Sequence, residues 1–329
     1  MSYVVNHTPT KKDFASPNSI KWCPGCGDYA ILSSLQSTLA KVSAKKEDTV
    51  IISGIGCSGR LPYYMNTFGF HTLHGRAPAI ATGLKLARPE LSIWVIIGDG
   101  DGLSIGSNHL FHLLRRNLNI NVILINNQIY GLTKGQFSPT SQKGSITPTS
   151  PYGSLERPIN PVLFALSAGA GFVARAVDID KENLEPILED AYHYKGTAFI
   201  EILQNCHIFN SGVFDAVRNK KTAKEHGVYM RHNSPLMFGS NLDKAVCADG
   251  YRLVVKEAIN NRLPFDIINS DYTDSGLALL LSQMLEPLPL GIFKKTSETV
   301  FEEQFSPGNI EISVLQNKYN QQFFNERVE

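Results

Sequence analysis

The chain has 329 residues, 43% hydrophobic and 19% charged, a composition that suits a soluble globular protein of one large or two ordinary domains. Lys and Arg total 31 against 30 acidic residues, and the net charge of +1 offers nothing to nucleic acid or to an acidic surface. No apolar run reaches the roughly eighteen residues of a membrane span, and the opening MSYVVNHTPTKKDF lacks a charged-then-apolar leader pattern, so a cytoplasmic location is expected.

In chain order, YAILSSLQSTLAKV has apolar residues at helical spacing, and TVIIS, residues 49–53, reads as a short buried strand. Helix is predicted over APAIATGLKLA, 77–87, and over SIGSNHLFHLLRRN, 104–117. The β-branched runs SIWVIIG, 92–98, and INVILIN, 120–126, read as two further strands. VLFALSAGAG then predicts a helix, FVARAV a strand, ENLEPILEDAYHY a helix and TAFIEIL, 197–203, a strand. Strands alternating with helices imply an α/β fold, a parallel sheet flanked by helices on both faces. Residues 128–161 are rich in Gly, Pro, Ser and Thr and lack periodicity, the mark of a functional loop. Beyond residue 207 the pattern loosens into mixed helices and polar loops. We therefore expect one α/β domain over 1–207 and a C-terminal extension over 208–329, whose aromatic-dotted tail NKYNQQFFNERVE suits a partner-contacting arm.

Five cysteines are an odd number, and a cytoplasmic setting keeps thiols reduced, so no disulfide framework is expected. Cys23 and Cys26, in WCPGCGDYAI, then read as metal-binding or catalytic. GIGCSG, 54–59, follows a strand and matches the dinucleotide pattern G-x-G-x-x-G, but no acidic residue stands between Arg60 and Pro89 to hold a ribose. Pro62 and Tyr63 also spoil a clean helix there, so nicotinamide binding is rejected. The glycines still let backbone amides approach a phosphate. No G-K-[ST] follows a glycine loop, which removes a Walker A site.

A firmer signal is GDGD, 98–101, at the end of a predicted strand, followed after the next helix and strand by Asn126 and Asn127. Asp99 and Asn127 thus fall at the carboxyl ends of successive parallel strands, where open α/β sheets bind ligands. Carboxylate and amide oxygens are hard ligands, suited to Mg²⁺ with phosphate oxygens completing an octahedron. Gly98 and Gly100 let the backbone come close to a diphosphate.

This GDG…N pattern resembles that of the thiamine-diphosphate enzymes. WCPGCG, GIGCSGR, HTLHGRAPAIATG, GDGD, LSIG, RRN and NNQIYGLTKGQFSPTS follow in one order within about residues 15–240. As a set they make the chain similar to the β subunits of 2-oxoacid:ferredoxin oxidoreductases of the two-subunit type, which includes the 2-oxoglutarate enzymes. The resemblance implies the diphosphate-binding half of the thiamine-diphosphate fold, with Mg²⁺ held by Asp99, Asn127 and the carbonyl of Ile129. It implies that Ile55, Gly56, Cys57, Ser58, His74, Gly100, Asp101, Gly131 and Leu132 line the diphosphate and thiazolium. Arg60 and Lys134 stand in the same motifs as candidates for the substrate's carboxylates.

Cys23, Cys26, Cys57 and Cys206, brought to one sheet edge, suit either zinc or a 4Fe–4S cluster, and spacing accepts both. The resemblance selects the 4Fe–4S cluster; Cys247 falls outside the set and reads as an ordinary thiol. The implied reaction is oxidative decarboxylation of a 2-oxoacid, with electrons passing through the cluster to ferredoxin and coenzyme A taking the acyl group. Two cations, Arg60 and Lys134, make 2-oxoglutarate the favoured substrate. A single GDG…NN module in this length implies an obligate α subunit carrying the aminopyrimidine half. Two other readings stay open: a non-redox thiamine-diphosphate decarboxylase or transferase subunit with structural zinc, and a non-catalytic zinc-stabilised interaction subunit.

Overall fold

Runs such as TVIIS and SIWVIIG are apolar on both faces, so they leave water only where helices cover both sides of a sheet. The computed structural model describes residues 8–258 and 264–304, and in it these runs become consecutive strands. They are β1 (Thr49–Ser53), β2 (Phe68–His71), β3 (Ser92–Gly98), β4 (Asn121–Asn126), the short pair β5 (Ile129–Tyr130) and β6 (Gln136–Phe137), β7 (Phe172–Val177) and β8 (Ala198–Leu203). Further strands follow as β9 (Gly227–Met230), β10 (Met237–Phe238), β11 (Lys244–Asp249), β12 (Arg252–Glu257) and β13 (Leu288–Lys295). The helices are α1 (Asp28–Lys41), α2 (Ala77–Ala87), α3 (Ser107–Arg116), α4 (Pro161–Ser167), α5 (Lys181–His193), the short α6 (Asp215–Arg218) and α7 (Ala223–His226), and α8 (Ser275–Ser282).

The main sheet has eight strands in the order β2-β1-β3-β4-β8-β7-β13-β9. The first six run parallel; β13 pairs antiparallel with β7, and β9 parallel with β13. Side-chain alternation splits the core into two layers. Ile93, Val95 and Ile97 of β3 join Ala81 of α2, Leu110 and Leu114 of α3 and Ala165 of α4. Trp94 and Ile96 point the other way, to Ile31, Leu35 and Leu39 of α1 and Leu184 and Leu188 of α5.

The predicted strands at 49–53, 92–98, 120–126 and 197–203 match β1, β3, β4 and β8 to within a residue. The helix expected over 104–117 is shorter: a π-helical turn at Asp101–Ile105 precedes α3, and Asn117 caps α3 in the left-handed region at φ 54°. Strand β2, FGFH, is exposed at all four positions, so no apolar run announces it; its backbone pairing with β1 creates it. The aperiodic segment 128–161 folds back as the β5–β6 hairpin before it wanders. Past residue 207, instead of mixed helices and polar loops alone, the chain adds β9 and β13 to the main sheet and builds a separate antiparallel sheet from β10, β11 and β12. The proposed partner-contacting tail NKYNQQFFNERVE lies outside the described residues. Among the described residues no helix is long and apolar enough to cross a membrane.

The central strand β4 is buried at every position, and Leu124 is 0% exposed. Leu124→Ala is expected to cost about 2–5 kcal/mol. Urea unfolding should show the midpoint falling with the slope unchanged.

Candidate active site

Parallel strands deliver their carboxyl ends to one edge, so the turns after β1, β3 and β4 meet there. After β3 the chain enters the π-helical turn, a form that collects at functional sites. Asp99 is 2% exposed, and the hydroxyls of Ser138 and Thr140 both meet its Oδ2 at 2.5 Å. Burial pushes its carboxyl above the ordinary carboxylate value, while the two hydroxyls pull it back. Asp101, also 2% exposed, accepts on Oδ1 from the amide of Gly75 at 2.7 Å and that of Ile55 at 3.2 Å, and the same oxygen meets Nδ1 of His74. Its Oδ2 is buried with no hydrogen-bond partner.

Two glycines are required by these contacts. A Cβ on Gly54 would stand 1.8 Å from Asp101 Oδ2, and one on Gly100 2.2 Å from the Tyr130 ring. Tyr130 in turn donates its hydroxyl to the Gly100 carbonyl at 2.9 Å. After β4, the Oδ1 of Asn127 accepts from the amide of Ile129 at 3.2 Å, which bends the chain into the β5–β6 hairpin.

One cavity of about 110 Å³ gathers the residues that the motifs nominated. Ile55, Gly56, Cys57, Ser58, His74, Gly100, Asp101, Gly131 and Leu132 line it, together with Asp99, Asn127 and Ile129. Arg60 and Lys134 do not; both line a neighbouring cavity of about 240 Å³, Arg60 half-buried and Lys134 exposed in the left-handed region at φ 77°. That second cavity is bordered by Cys23, Cys26, Cys57 and Cys206. Cys57, Asn127, Gly131 and Leu132 border both cavities.

Local structure explains how the four thiols come together. In C-P-G-C the amide of Cys26 donates to the Cys23 carbonyl at 3.1 Å, with Pro24 and a positive-φ Gly25 between them, as in a type II turn. Trp22 Nε1–H donates to the Cys57 carbonyl at 2.7 Å, and the amide of Gly27 to the Asn205 carbonyl at 3.4 Å. A Cβ on Gly131 would lie 3.4 Å from the Cys206 sulfur and 3.8 Å from that of Cys57. Burial pushes the Cys57 thiol up to about 11 and raises that of Cys26 as well. All four are free thiols, and Cys247 is buried in β11, outside this lining. Among the described residues no group of three or more His, Cys, Asp or Glu side chains is arranged to hold a single metal ion.

Several residues of the site were not nominated from the sequence. Asp28 is fully buried, lines the smaller cavity, and is raised to about 7, chiefly by burial. It directly follows C-P-G-C-G, and that adjacency was its one signal. Ser138, Thr140 and Ser141 come from the SPTS of the loop, where hydroxyls are too common to stand out. Conversely, GIGCSG continues into a 3₁₀ helix, Ser58–Tyr64, with Pro62 inside it, as its poor helix start foretold.

Residues 54–202 match the family model of the thiamine pyrophosphate enzyme C-terminal TPP binding domain. The chain is 48% identical over 297 residues to the 2-oxoglutarate oxidoreductase subunit KorB of Mycobacterium tuberculosis, covering 89% of this chain and 79% of that one. It is 46% identical over 189 residues to the β subunit of the 2-oxoacid:ferredoxin oxidoreductase 1 of Aeropyrum pernix, spanning 57% of this chain and 59% of that relative. A solved 2-oxoglutarate:ferredoxin oxidoreductase from Magnetococcus marinus, with 2-oxoglutarate, coenzyme A and succinyl-CoA bound, superposes with a TM-score of 0.74 at 31% identity, covering 97% of this chain and 96% of that one.

Because a methyl group at position 100 drives into the Tyr130 ring, Gly100→Ala should weaken thiamine diphosphate binding at least about tenfold, ~1.4 kcal/mol. Calorimetric titration reads the loss, and an unchanged circular dichroism spectrum shows that the fold survives.

Proposed function

The chain belongs to the family of β subunits of 2-oxoglutarate and related 2-oxoacid:ferredoxin oxidoreductases, and from that membership we propose that it carries the cofactor half of an enzyme that oxidatively decarboxylates 2-oxoglutarate. As such a subunit it is part of an oxidoreductase that works with an α subunit, and it contains a thiamine-diphosphate-binding domain. In the proposed reaction coenzyme A takes the acyl group, carbon dioxide leaves, and two electrons pass one at a time through a 4Fe–4S cluster to two ferredoxins. Thiamine diphosphate supplies, when bound, the electron sink that this decarboxylation needs.

The observation that carries the proposal is the shared wall between the two cavities, made by Cys57, Asn127, Gly131 and Leu132. A redox group among the cysteines would sit one layer of side chains from the cofactor, a short path for single electrons. Asp99, Asn127 and the carbonyl of Ile129 offer hard oxygen donors of the kind Mg²⁺ takes. Cys23, Cys26, Cys57 and Cys206 would hold the cluster. Arg60 and Lys134 at the rim give two cations for the two carboxylates of 2-oxoglutarate, in keeping with the names of the relatives. Free thiols throughout are in keeping with a cytoplasmic setting.

Purified without oxygen together with its α subunit, the chain should show a broad absorbance near 400 nm that dithionite bleaches, with about four irons and four sulfides. One zinc and no visible band would promote the non-redox reading instead. For the substrate, Lys134→Gln should raise KM for 2-oxoglutarate several-fold while leaving KM for pyruvate nearly unchanged. An equal rise for both would remove Lys134 from substrate choice.

A further inference from the structure

One charged pair lies buried in the sheet, where its arginine also reaches over Phe293 and toward the Asn160 oxygen. Arg175 of β7 and Glu201 of β8 are register partners, and Arg175 Nε donates to Glu201 Oε2 at 2.7 Å with the two side chains 5% and 2% exposed. On the same face of the two strands, the neighbours of the pair are Val173, Val177, Phe199 and Leu203, all buried and apolar. Burying such a pair costs more than an apolar pair of the same size, so it is often neutral or stabilising to replace it. Its retention calls for another role.

The second oxygen of Glu201 reaches the carboxyl end of β4. Asn126 Nδ2 donates to Glu201 Oε1 at 2.7 Å, which settles which way the amide faces: nitrogen to the carboxylate, oxygen away. That oxygen then does two things. It accepts from the amide of Gln128 at 3.2 Å, shaping the turn that carries Asn127, and it meets the hydroxyl of Thr140 at 3.0 Å. The same hydroxyl meets Asp99 Oδ2 at 2.5 Å. Thr140 has one proton for the carboxylate and the amide oxygen, so the amide's orientation bears directly on how Asp99 is held.

We infer that Arg175 and Glu201 are positioning residues for the metal half of the cofactor site, fixing the ligands Asp99 and Asn127 together through the side chain of Asn126 and the hydroxyl of Thr140. The inference rests on the reading of Asp99 and Asn127 as Mg²⁺ ligands. It places the organising charge on β7 and β8, of which β8 pairs directly with β4, while the ligands end β3 and β4.

The test uses the full chain with its α subunit and measures Mg²⁺ affinity at fixed thiamine diphosphate, by calorimetry. The double variant Arg175→Met/Glu201→Leu removes both charges together, which leaves no unpaired ion. It should raise the Mg²⁺ dissociation constant about tenfold without lowering Tm, and saturating Mg²⁺ should restore turnover. Asn126→Leu cuts the relay in the middle, leaves the ion pair in place and covers the case in which the double variant does not fold. It should cause a loss of the same size, and the triple variant should lose no more than either, because the groups act as one unit. Wild-type Mg²⁺ affinity in either folded variant, or losses that add, would overturn the inference. Asp99→Asn separates the two claims: it should abolish Mg²⁺-dependent cofactor binding, and wild-type binding there would overturn the metal reading and this inference with it.

Discussion

Enclosing carboxyl groups costs several kcal/mol each unless donors surround them, and the turn after β3 encloses two of them, Asp99 and Asp101, each 2% exposed. The donors come from segments far apart in the chain. Ile55 lies after β1, His74 and Gly75 lie before α2, and Ser138 and Thr140 lie beyond the β5–β6 hairpin. Each segment must therefore reach the same edge for β3 to end as it does. The glycines at 54 and 100 follow from this crowding: their missing side chains are the room in which Asp101 and Tyr130 fit.

The same edge sets the relation between the two cavities. Cys57 belongs to the turn after β1 and therefore borders the smaller cavity, while Cys206 arrives just past β8, beside Gly131. Cys23 and Cys26 come from the start of α1 on the other layer of the fold, joined to the β8 end by the Gly27–Asn205 hydrogen bond. A thiol set drawn from three separate segments can only form once the sheet is assembled. Its adjacency to the turns after β1, β3 and β4 is a property of strand order and not of any single motif.

The strands beyond residue 207 bear on this from a distance. β13 packs antiparallel against β7, and Arg175 reaches over Phe293 of β13, with the guanidinium carbon 5.4 Å from the ring centre. Arg175 also donates toward the Asn160 oxygen at 3.4 Å, at the start of α4. The later part of the chain thus supports the guanidinium whose partner, Glu201, reaches Asn126 at the end of β4.

Much of this was legible in the residues. Apolar runs on both faces and helical spacing were enough for β1, β3, β4 and β8 and for the alternation that makes a parallel sheet, because burial on two faces leaves few other patterns. GDGD and the Asn pair marked the strand ends, since a glycine-flanked acid after a buried strand has few uses there. Strand β2 stayed hidden because its four residues are exposed and its existence rests on a partner's backbone. Ser138, Thr140 and Asp28 stayed hidden because a hydroxyl or a carboxyl signals nothing until its neighbours are known. The sequence by itself determined the fold class and the family resemblance, both of which depend on local pattern. Only the tertiary structure decided which groups share a wall, which carboxyls are enclosed, and that Arg175 and Glu201 stand side by side, because those are contacts between strands that no local pattern can encode.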